Sequence, residues 1–529
     1  VSDWSKALGS PFDVAQGRFT QASGRENTVT GNRGLELEEP LIFEQGEAGC
    51  SGVDLPEPPG VADRLGGLAR QGKIGLPGLT EPQVVRHYTR LSQKNYGIDT
   101  GLYPLGSCTM KHNPRLNEKL ARLPGFAEIH PLQPEETVQG ALALIDTLAQ
   151  WLKTVTGMPS VAMSPAAGAH GELCGVMCIR AALAARGERR TRILVPESAH
   201  GTNPATAVAC GYTVDPIPAN ARGRVDVAAF KAKLNEDVAG IMLTNPNTCG
   251  LFENDSIEIA DAIHAVGGYF YCDGANLNAI MGRVRPGDLG IDCMHINLHK
   301  TCSTPHGGGG PGAGPVVLSA ALADYAPLPW VVHGEEGWHL VEHKGEHGVA
   351  ASALGRLKAF HGQMGMFVRA LAYLMSHGAD GLRQVSEDAV LNANYLLARL
   401  KDDITPSFEG PCMHECLFDE RFLQGTGVTT LDFAKALIDE GFHPMTMYFP
   451  LIVQGALLVE PTETESKQSL DRFIAVMKVL ARRAREPGAH NWFRQAPRYT
   501  PRRRLDEVCA ARRPILRFKP EESPKTVAE

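Results

Sequence analysis

Between Asp292 and Gly314 the chain reads DCMHINLHKTCSTPHGGGGPGAG. A short apolar run (Met294, Ile296, Leu298) leads into His299-Lys300-Thr301, and glycines follow from Gly307 to Gly310 and at Gly312 and Gly314. An ammonium where a strand ends in the interior is costly unless it is paired or chemically used. Glycine beside it lets the backbone approach a ligand closely. A desolvated lysine in that setting suits Schiff-base formation with a carbonyl cofactor. Taken alone, the segment fits a surface lysine before a flexible turn better.

Three other features complete a chemical set. Asp273 follows the apolar run Tyr269-Phe270-Tyr271-Cys272 and precedes Gly274-Ala275; a buried carboxylate there needs a cation, and a protonated pyridine nitrogen is one. Ser164 to Glu172 (SPAAGAHGE) is a turn of small residues entering a helix, where free amides at the positive helix end suit a phosphate. His200, at another strand end, could lay its imidazole on an aromatic ring. Each has a plain alternative: a turn aspartate, an empty strand-to-helix turn, a capped loop histidine. In the order phosphate turn, His, Asp, Lys, they describe a pyridoxal 5'-phosphate site.

The elements that must position these residues alternate. Strands are expected at 161–163, 192–195, 212–217, 241–243, 269–272 and 316–318, with helices at 137–157, from the 164–172 turn to Ala185, and at 227–234. Each strand hands over at its C-terminal end to small or hydrogen-bonding residues, the edge on which open α/β sheets bind ligands. A helix from Glu81, capped by Thr80, precedes them. Beyond, 327–338 reads as loop, 351–378 as a long helix interrupted at Gly362 and Gly365, and 388–400 as another. Strands at 414–418 and 457–459 and helices at 430–440 and 465–485 form a second unit. The expected organisation is a disordered extension over 1–38, an arm and helix over 39–95, a large cofactor-binding domain over 96–365, and a small C-terminal domain with a basic tail over 366–529. The fold class is α/β, a wound and mostly parallel sheet of the aminotransferase type I-like pyridoxal-phosphate transferases.

Composition narrows the function. The 529 residues carry a formal net charge of -7, which argues against a nucleic-acid partner. No apolar run is long enough to cross a membrane, and twelve cysteines set singly in apolar or glycine-rich segments read as reduced thiols of a cytoplasmic enzyme.

Six stretches go further: YPLGSCTMKHNP, SPAAGAHGE, SAHGTNPATA, LTNPNTCGLFE, YCDGANLNAI and NLHKTCSTPHGGGGPGAGP. In this order, over about residues 40 to 520, the chain resembles the second, catalytic subunit of two-chain glycine dehydrogenases (decarboxylating), the P-proteins of glycine cleavage systems. The resemblance implies that Lys300 binds pyridoxal 5'-phosphate covalently, Asp273 pairs with its pyridine nitrogen, His200 stacks on the ring and Ala275 lies on the other face. It implies phosphate contacts from Gly168, Ala169 and His299, with Thr244 and Asn247 lining the ring edge and substrate pocket. The loop from Ser107 to Lys111 is expected at the mouth of the site. Glycine is the implied substrate; its aminomethyl carbon passes to the lipoyl disulfide of a carrier, the H-protein, and CO2 leaves. A separate subunit 1 and two copies of each subunit follow from the same resemblance, because a fused P-protein would hold two copies of this fold and this chain holds one.

No metal is expected. Cys174 and Cys178, at helical spacing in an apolar segment, read as core. Cys412, His414, Glu415 and Cys416 have ligand chemistry but no second pair at zinc spacing. The glycine run lacks the strand-to-helix setting of a dinucleotide fingerprint. Two other readings compete: another enzyme of the same fold, such as an aminotransferase or cysteine desulfurase, and a non-catalytic partner that kept the fold. A desulfurase needs a cysteine on a mobile loop, and Cys302 is too near Lys300 to swing freely. Retention of both Lys300 and Asp273 opposes the scaffold reading.

Overall fold

Seven strands carry the site: β1 (Ser160–Ala162), β2 (Arg192–Pro196), β3 (Thr213–Ile217), β4 (Val238–Thr244), β5 (Tyr269–Gly274), β6 (Cys293–Ile296) and β7 (Val316–Leu318). They form one sheet in the order β1-β7-β6-β5-β4-β2-β3. β7 runs antiparallel to both its neighbours, and the other pairings are parallel. The computed structural model describes residues 39–517, except 48, 54, 57, 58, 61–63, 73 and 307–311. The expectations for 1–38, for the run Gly307 to Gly310 and for the last residues of the tail therefore lie outside the described residues.

β4, β5 and β6 are buried along their whole length because both sheet faces are covered, as parallel sheets require. Alternate residues enter opposite cores: Phe270 and Cys272 join one cluster with Ile241, Leu243 and Ile296, whereas Tyr269 and Tyr271 join the other with Met242 and Cys293. Burying a side chain such as Phe270 contributes about 1.5–3 kcal/mol. The same alternation turns Asp273 toward the Tyr271 face.

The helices that frame the two sheets include, in chain order, α1 (Glu81–Lys94), α2 (Gln139–Thr156), α3 (Gly168–Ala185), α4 (Thr202–Ala209), the single turn α5 (Leu298–Thr301), α6 (Met364–Leu400), α7 (Thr430–Asp439) and α8 (Lys467–Ala484). Thr80 and Gln83 close a capping box on α1, as its sequence implies. α3 lies directly on the sheet through a stripe of glycines. A Cβ at Gly171 would come 2.7 Å from that of His295, and one at Gly175 would come 2.9 Å from the Tyr271 ring. This packing role is additional to the phosphate role read from the same small residues.

Three expectations are corrected. Residues 327–338 are not all loop: β8 (Trp330–Gly334) and β9 (Gly337–Val341) form an antiparallel hairpin around Glu335-Glu336. Its strands are only half-buried, so they lack the strong apolar alternation of a core strand. The helix expected from Ala351 begins at Met364; it breaks at Gly378 (φ 61°), where its end is expected, and helix resumes at once and runs to Leu400 rather than restarting at Asp388. Gly362 stands before that helix with φ 101°, and a Cβ there would strike the Phe367 ring. Glycine outside a helix thus looked, in the sequence, like an interruption within one.

The C-terminal unit has its own sheet, β10 (Cys416–Phe418), β12 (Leu457–Val459) and β11 (Thr446–Met447), in that spatial order and all antiparallel. Its core joins Phe418, Phe433, Leu457, Phe473 and Phe493 to the end of α6 and to Leu102. α6 therefore serves both cores, with Phe367 and Leu374 in one and Leu396 and Leu400 in the other. Among the described residues no helix is long and apolar enough to cross a membrane.

Candidate active site

β4, β5 and β6 end side by side, with Thr244 opposite Asp273 and Asp273 opposite His295. Asp273 is buried, and its Oδ1 accepts from the Ala275 amide at 2.9 Å while Oδ2 accepts from Asn203 Nδ2 at 3.1 Å. His295 Nε2 lies 3.4 Å from Oδ1, and its Nδ1 is 2.6 Å from the Tyr271 hydroxyl. Burial alone would raise the Asp273 carboxyl, but His295, the Ala275 amide, Lys300 and Asn203 together hold it below the usual range. It is an ionised acid in a dry place. Beneath it, Glu172 on α3 accepts from the same Asn203 amide at 2.8 Å. Burial, followed by the charge of Asp273, pushes Glu172 up to about 8.

Lys300 arrives from the next strand. β6 stops at Ile296, and the chain turns once through α5, so the lysine sits in a buried helical turn rather than directly at the strand end. Its Nζ, half-buried, donates to the Ser107 carbonyl at 2.9 Å. That contact brings the 107–111 loop onto the lysine. Gly106, just before it, packs so closely on β12 that a Cβ would lie 2.5 Å from the Leu458 carbonyl oxygen. Cys108 Sγ is 3.5 Å from His306 Nε2, and burial raises its thiol while Lys300 opposes. Lys111 is buried, paired with Glu463 at 2.7 Å and donating to the Thr301 carbonyl at 3.1 Å.

The remaining predicted residues fall around this pair in different ways. Gly168 opens α3, and a Cβ there would stand 2.6 Å from Asn297 Oδ1, so the helix N-terminus packs beside the lysine turn. Ala169 is exposed on the same turn. His299 is buried beside His306, its Nδ1 accepts from the Ala313 amide at 3.4 Å, and burial then His306 push it down to about 3. His200 precedes α4, with Nδ1 accepting from the Thr202 amide at 3.2 Å and its ring edge-on to Phe449. Desolvation lowers its imidazole, Asp273 raises it, and Lys300 lowers it further, with a net fall. Ala275 is half-buried just past Asp273.

Asn247 differs from expectation. Its amide donates to the Gly223 carbonyl at 2.9 Å and to Glu253 Oε1 at 2.7 Å, and its oxygen accepts from the Cys249 and Leu251 amides. With its hydrogen bonds spent on Glu253, on the turn to Leu251 and on the Gly223 carbonyl of another loop, we assign it to holding these loops together rather than to lining a pocket. A short asparagine-rich sequence does not reveal which amides are already engaged. Asn203 and His295, which help hold the Asp273 carboxyl low, and Glu172, whose own carboxyl Asp273 helps to raise, are not singled out by the sequence, although all three lie within or just before the quoted motifs.

Thr244 Oγ1, Asn297 Oδ1, Thr301 Oγ1, Thr304 Oγ1 and Asn203 Oδ1 are buried without hydrogen-bond partners. Native interiors leave few such atoms. Their position on the segments flanking Lys300 and Asp273 fits a polar ligand such as pyridoxal 5'-phosphate.

The family follows from comparison. Residues 385–497 match the model described as "Glycine dehydrogenase, C-terminal domain" and residues 174–310 match "Aminotransferase class-V". The chain is 66% identical over 512 residues to a probable glycine dehydrogenase (decarboxylating) subunit 2 from Caulobacter vibrioides, covering 96% of this chain and 97% of that one. The chain belongs to the glycine dehydrogenase (decarboxylating) subunit 2 family. Members of that family from Exiguobacterium sibiricum and Pyrococcus furiosus are 50% and 49% identical, each over 92% of this chain and over 98% and 97% of their own. Among solved structures the subunit 2 fold matches a glycine decarboxylase (P-protein) of the glycine cleavage system in inhibitor-bound form, with a TM-score of 0.64 and 22% identity over 81% of this chain and 91% of that one. It also matches a cysteine desulfurase from Escherichia coli, with a TM-score of 0.55 and 16% identity over 72% and 95%. Together with the aminotransferase class-V match and the mostly parallel sheet, these likenesses give the α/β type I pyridoxal-phosphate fold.

Proposed function

We propose that this chain is the catalytic subunit of a glycine decarboxylase, releasing CO2 from glycine and passing the aminomethyl group to the lipoyl group of an H-protein. The observation that carries the reading is full-length identity to subunit 2 enzymes, joined to a lysine and an ionised aspartate on one sheet edge. Its partners are a subunit 1, with two copies of each chain in the assembly, and the lipoylated carrier; no nucleic acid or membrane takes part, and the setting is the cytoplasm.

Pyridoxal 5'-phosphate, when bound, supplies an aldehyde that takes an amine and a ring that draws in the electron pair left behind when CO2 departs. Lys300 Nζ is the amine that would hold it. Asp273, kept ionised, would hold the proton on the pyridine nitrogen. His295 and Asn203 orient that carboxylate, and Glu172, protonated at neutral pH, adds no competing charge. The amides of Gly168 and Ala169, with His299, would hold the phosphate. His200 would cover one ring face and Ala275 the other, with Thr244 Oγ1 at the ring edge. Ser107 returns Lys300 Nζ to a fixed position between turnovers. A desulfurase role is disfavoured because Cys302 is buried at the end of α5, two residues after Lys300.

The test is exchange of labelled CO2 into the carboxyl of glycine by the chain assembled with subunit 1. Exchange that requires lipoylated H-protein supports the proposal. Sulfur release from cysteine, or transamination without exchange, defeats it.

A further inference from the structure

The small sheet brings two carboxyls face to face behind the 107–109 loop. β10 and β12 pair with Cys416 opposite Val459, so the next residues along, Glu415 and Glu460, are opposite neighbours. Both are fully buried, as is His414, and the three bring side-chain ligand atoms within 4.8 Å of one another. Glu460 Oε1 accepts from Thr109 Oγ1 at 2.5 Å and from Asn278 Nδ2 at 3.4 Å, and it lies 3.9 Å from His414 Nε2. Glu415 Oε2 accepts from the Ser107 amide at 2.7 Å. Glu415 Oε1, Glu460 Oε2 and both His414 nitrogens have no partner.

Two carboxylates directly opposite in a sheet repel, and drying them costs several kcal/mol each, so the pair is lowest in energy when it keeps a proton. The charged and titratable groups facing it are Lys300, Lys111 with its partner Glu463, and the Cys108 thiol. Burial, with the charge of Glu460, sets Glu415 well above the carboxylate range; burial also sets Glu460 at about 7, against the pull of Thr109, Lys300 and Lys111. Burial pushes His414 down to about 3, so it stays neutral.

The reaction proposed above consumes a proton. The C–C bond to the carboxylate breaks and its electron pair stays on carbon, while CO2 leaves without a proton. That carbon forms a C–S bond with one lipoyl sulfur. The S–S bond breaks, its electron pair goes to the other sulfur, and this sulfur takes up one proton to become a thiol. We propose that Glu415 and Glu460 form a proton-sharing pair that supplies the proton taken up by the departing lipoyl sulfur, with Thr109 and His414 positioning it. The pair regains its proton from water when the carrier leaves. This inference rests on the decarboxylase reading.

The test uses the complete chain assembled with subunit 1 and loaded with pyridoxal 5'-phosphate. Isotope-edited infrared spectra, taken from about pH 5 to about pH 9, should show a carboxylic-acid stretch that titrates near neutrality and is lost in Glu460→Gln. In single-turnover transfer to lipoylated H-protein, the same variant should lose ~10²-fold in rate and its alkaline limb, with the KM for glycine unchanged and part of the rate restored in Glu460→Asp. Should Glu460→Gln not fold, Glu415→Gln carries the same expectations. Absence of the infrared band overturns the proposal, as does an unchanged pH limb, or stoichiometric binding of Zn2+ or Mn2+ alone that Glu460→Gln abolishes. A wild type inert toward glycine overturns the decarboxylase reading and with it the sulfur step, while the infrared band separately decides the shared proton.

Discussion

Lys300 Nζ donates to the carbonyl of Ser107 at 2.9 Å across 193 residues of sequence. The lysine of the large sheet is thus held by a loop that is itself stitched to the small sheet, through Gly106 on Leu458 and Ser107 on Glu415. Both units meet at one nitrogen.

Lys300→Ala should abolish the cofactor absorbance band of a lysine-bound aldehyde and reduce glycine carboxyl exchange by ~10²–10⁴-fold. Absorbance spectra and labelled-CO2 exchange check both. A variant that keeps the band would remove Lys300 from its assigned role.

Gly106→Ala places a methyl within 2.5 Å of a backbone oxygen that cannot rotate away. The loop must shift, at a cost of about 1–3 kcal/mol, and Ser107 is carried off Lys300. Denaturant unfolding should report the lost stability, and CO2 exchange a fall in kcat larger than the stability loss alone explains.

The Lys111–Glu463 pair is buried at both ends, with side chains 1% and 9% exposed. Removing one partner leaves the other charge dry and unpaired, so Lys111→Met or Glu463→Gln alone should cost about 3–5 kcal/mol. The double variant should recover part of that loss. Unfolding curves on all three test the non-additivity.

Glu172 gives a pH prediction with a definite sign. Its carboxyl is raised in the folded chain to about 8, chiefly by burial, from an ordinary 4.5. Between those values the folded state binds the proton and the unfolded state does not, so this group's contribution to stability falls as pH rises from 4.5 toward 8. Glu172→Gln removes the penalty: its stability relative to wild type should climb by a few kcal/mol over that range. Asp273, held low, acts in the opposite sense; its contribution is present above the ordinary aspartate pKa and is lost as acid protonates it. Thermal melts across pH distinguish the two.

Much of this protein is written locally. The apolar runs of β4, β5 and β6 and the polar residues at their ends are contiguous in sequence, so the wound sheet, its ligand edge and the Asp273–Lys300 pair are legible without a structure. The hairpin of β8 and β9 was not, because half-buried strands carry weak alternation, and the start of α6 was blurred by Gly362, which lies outside it. Which polar side chains are free was hidden as well: Asn247 looks like a ligand residue until its hydrogen bonds are counted. The carboxyl pair at Glu415 and Glu460, the ion pair at Lys111 and Glu463 and the grip of Ser107 on Lys300 join residues far apart in the chain. Their chemistry depends on distance and exclusion of water, which the order of residues does not encode and which only packing of the two sheets against one loop decides.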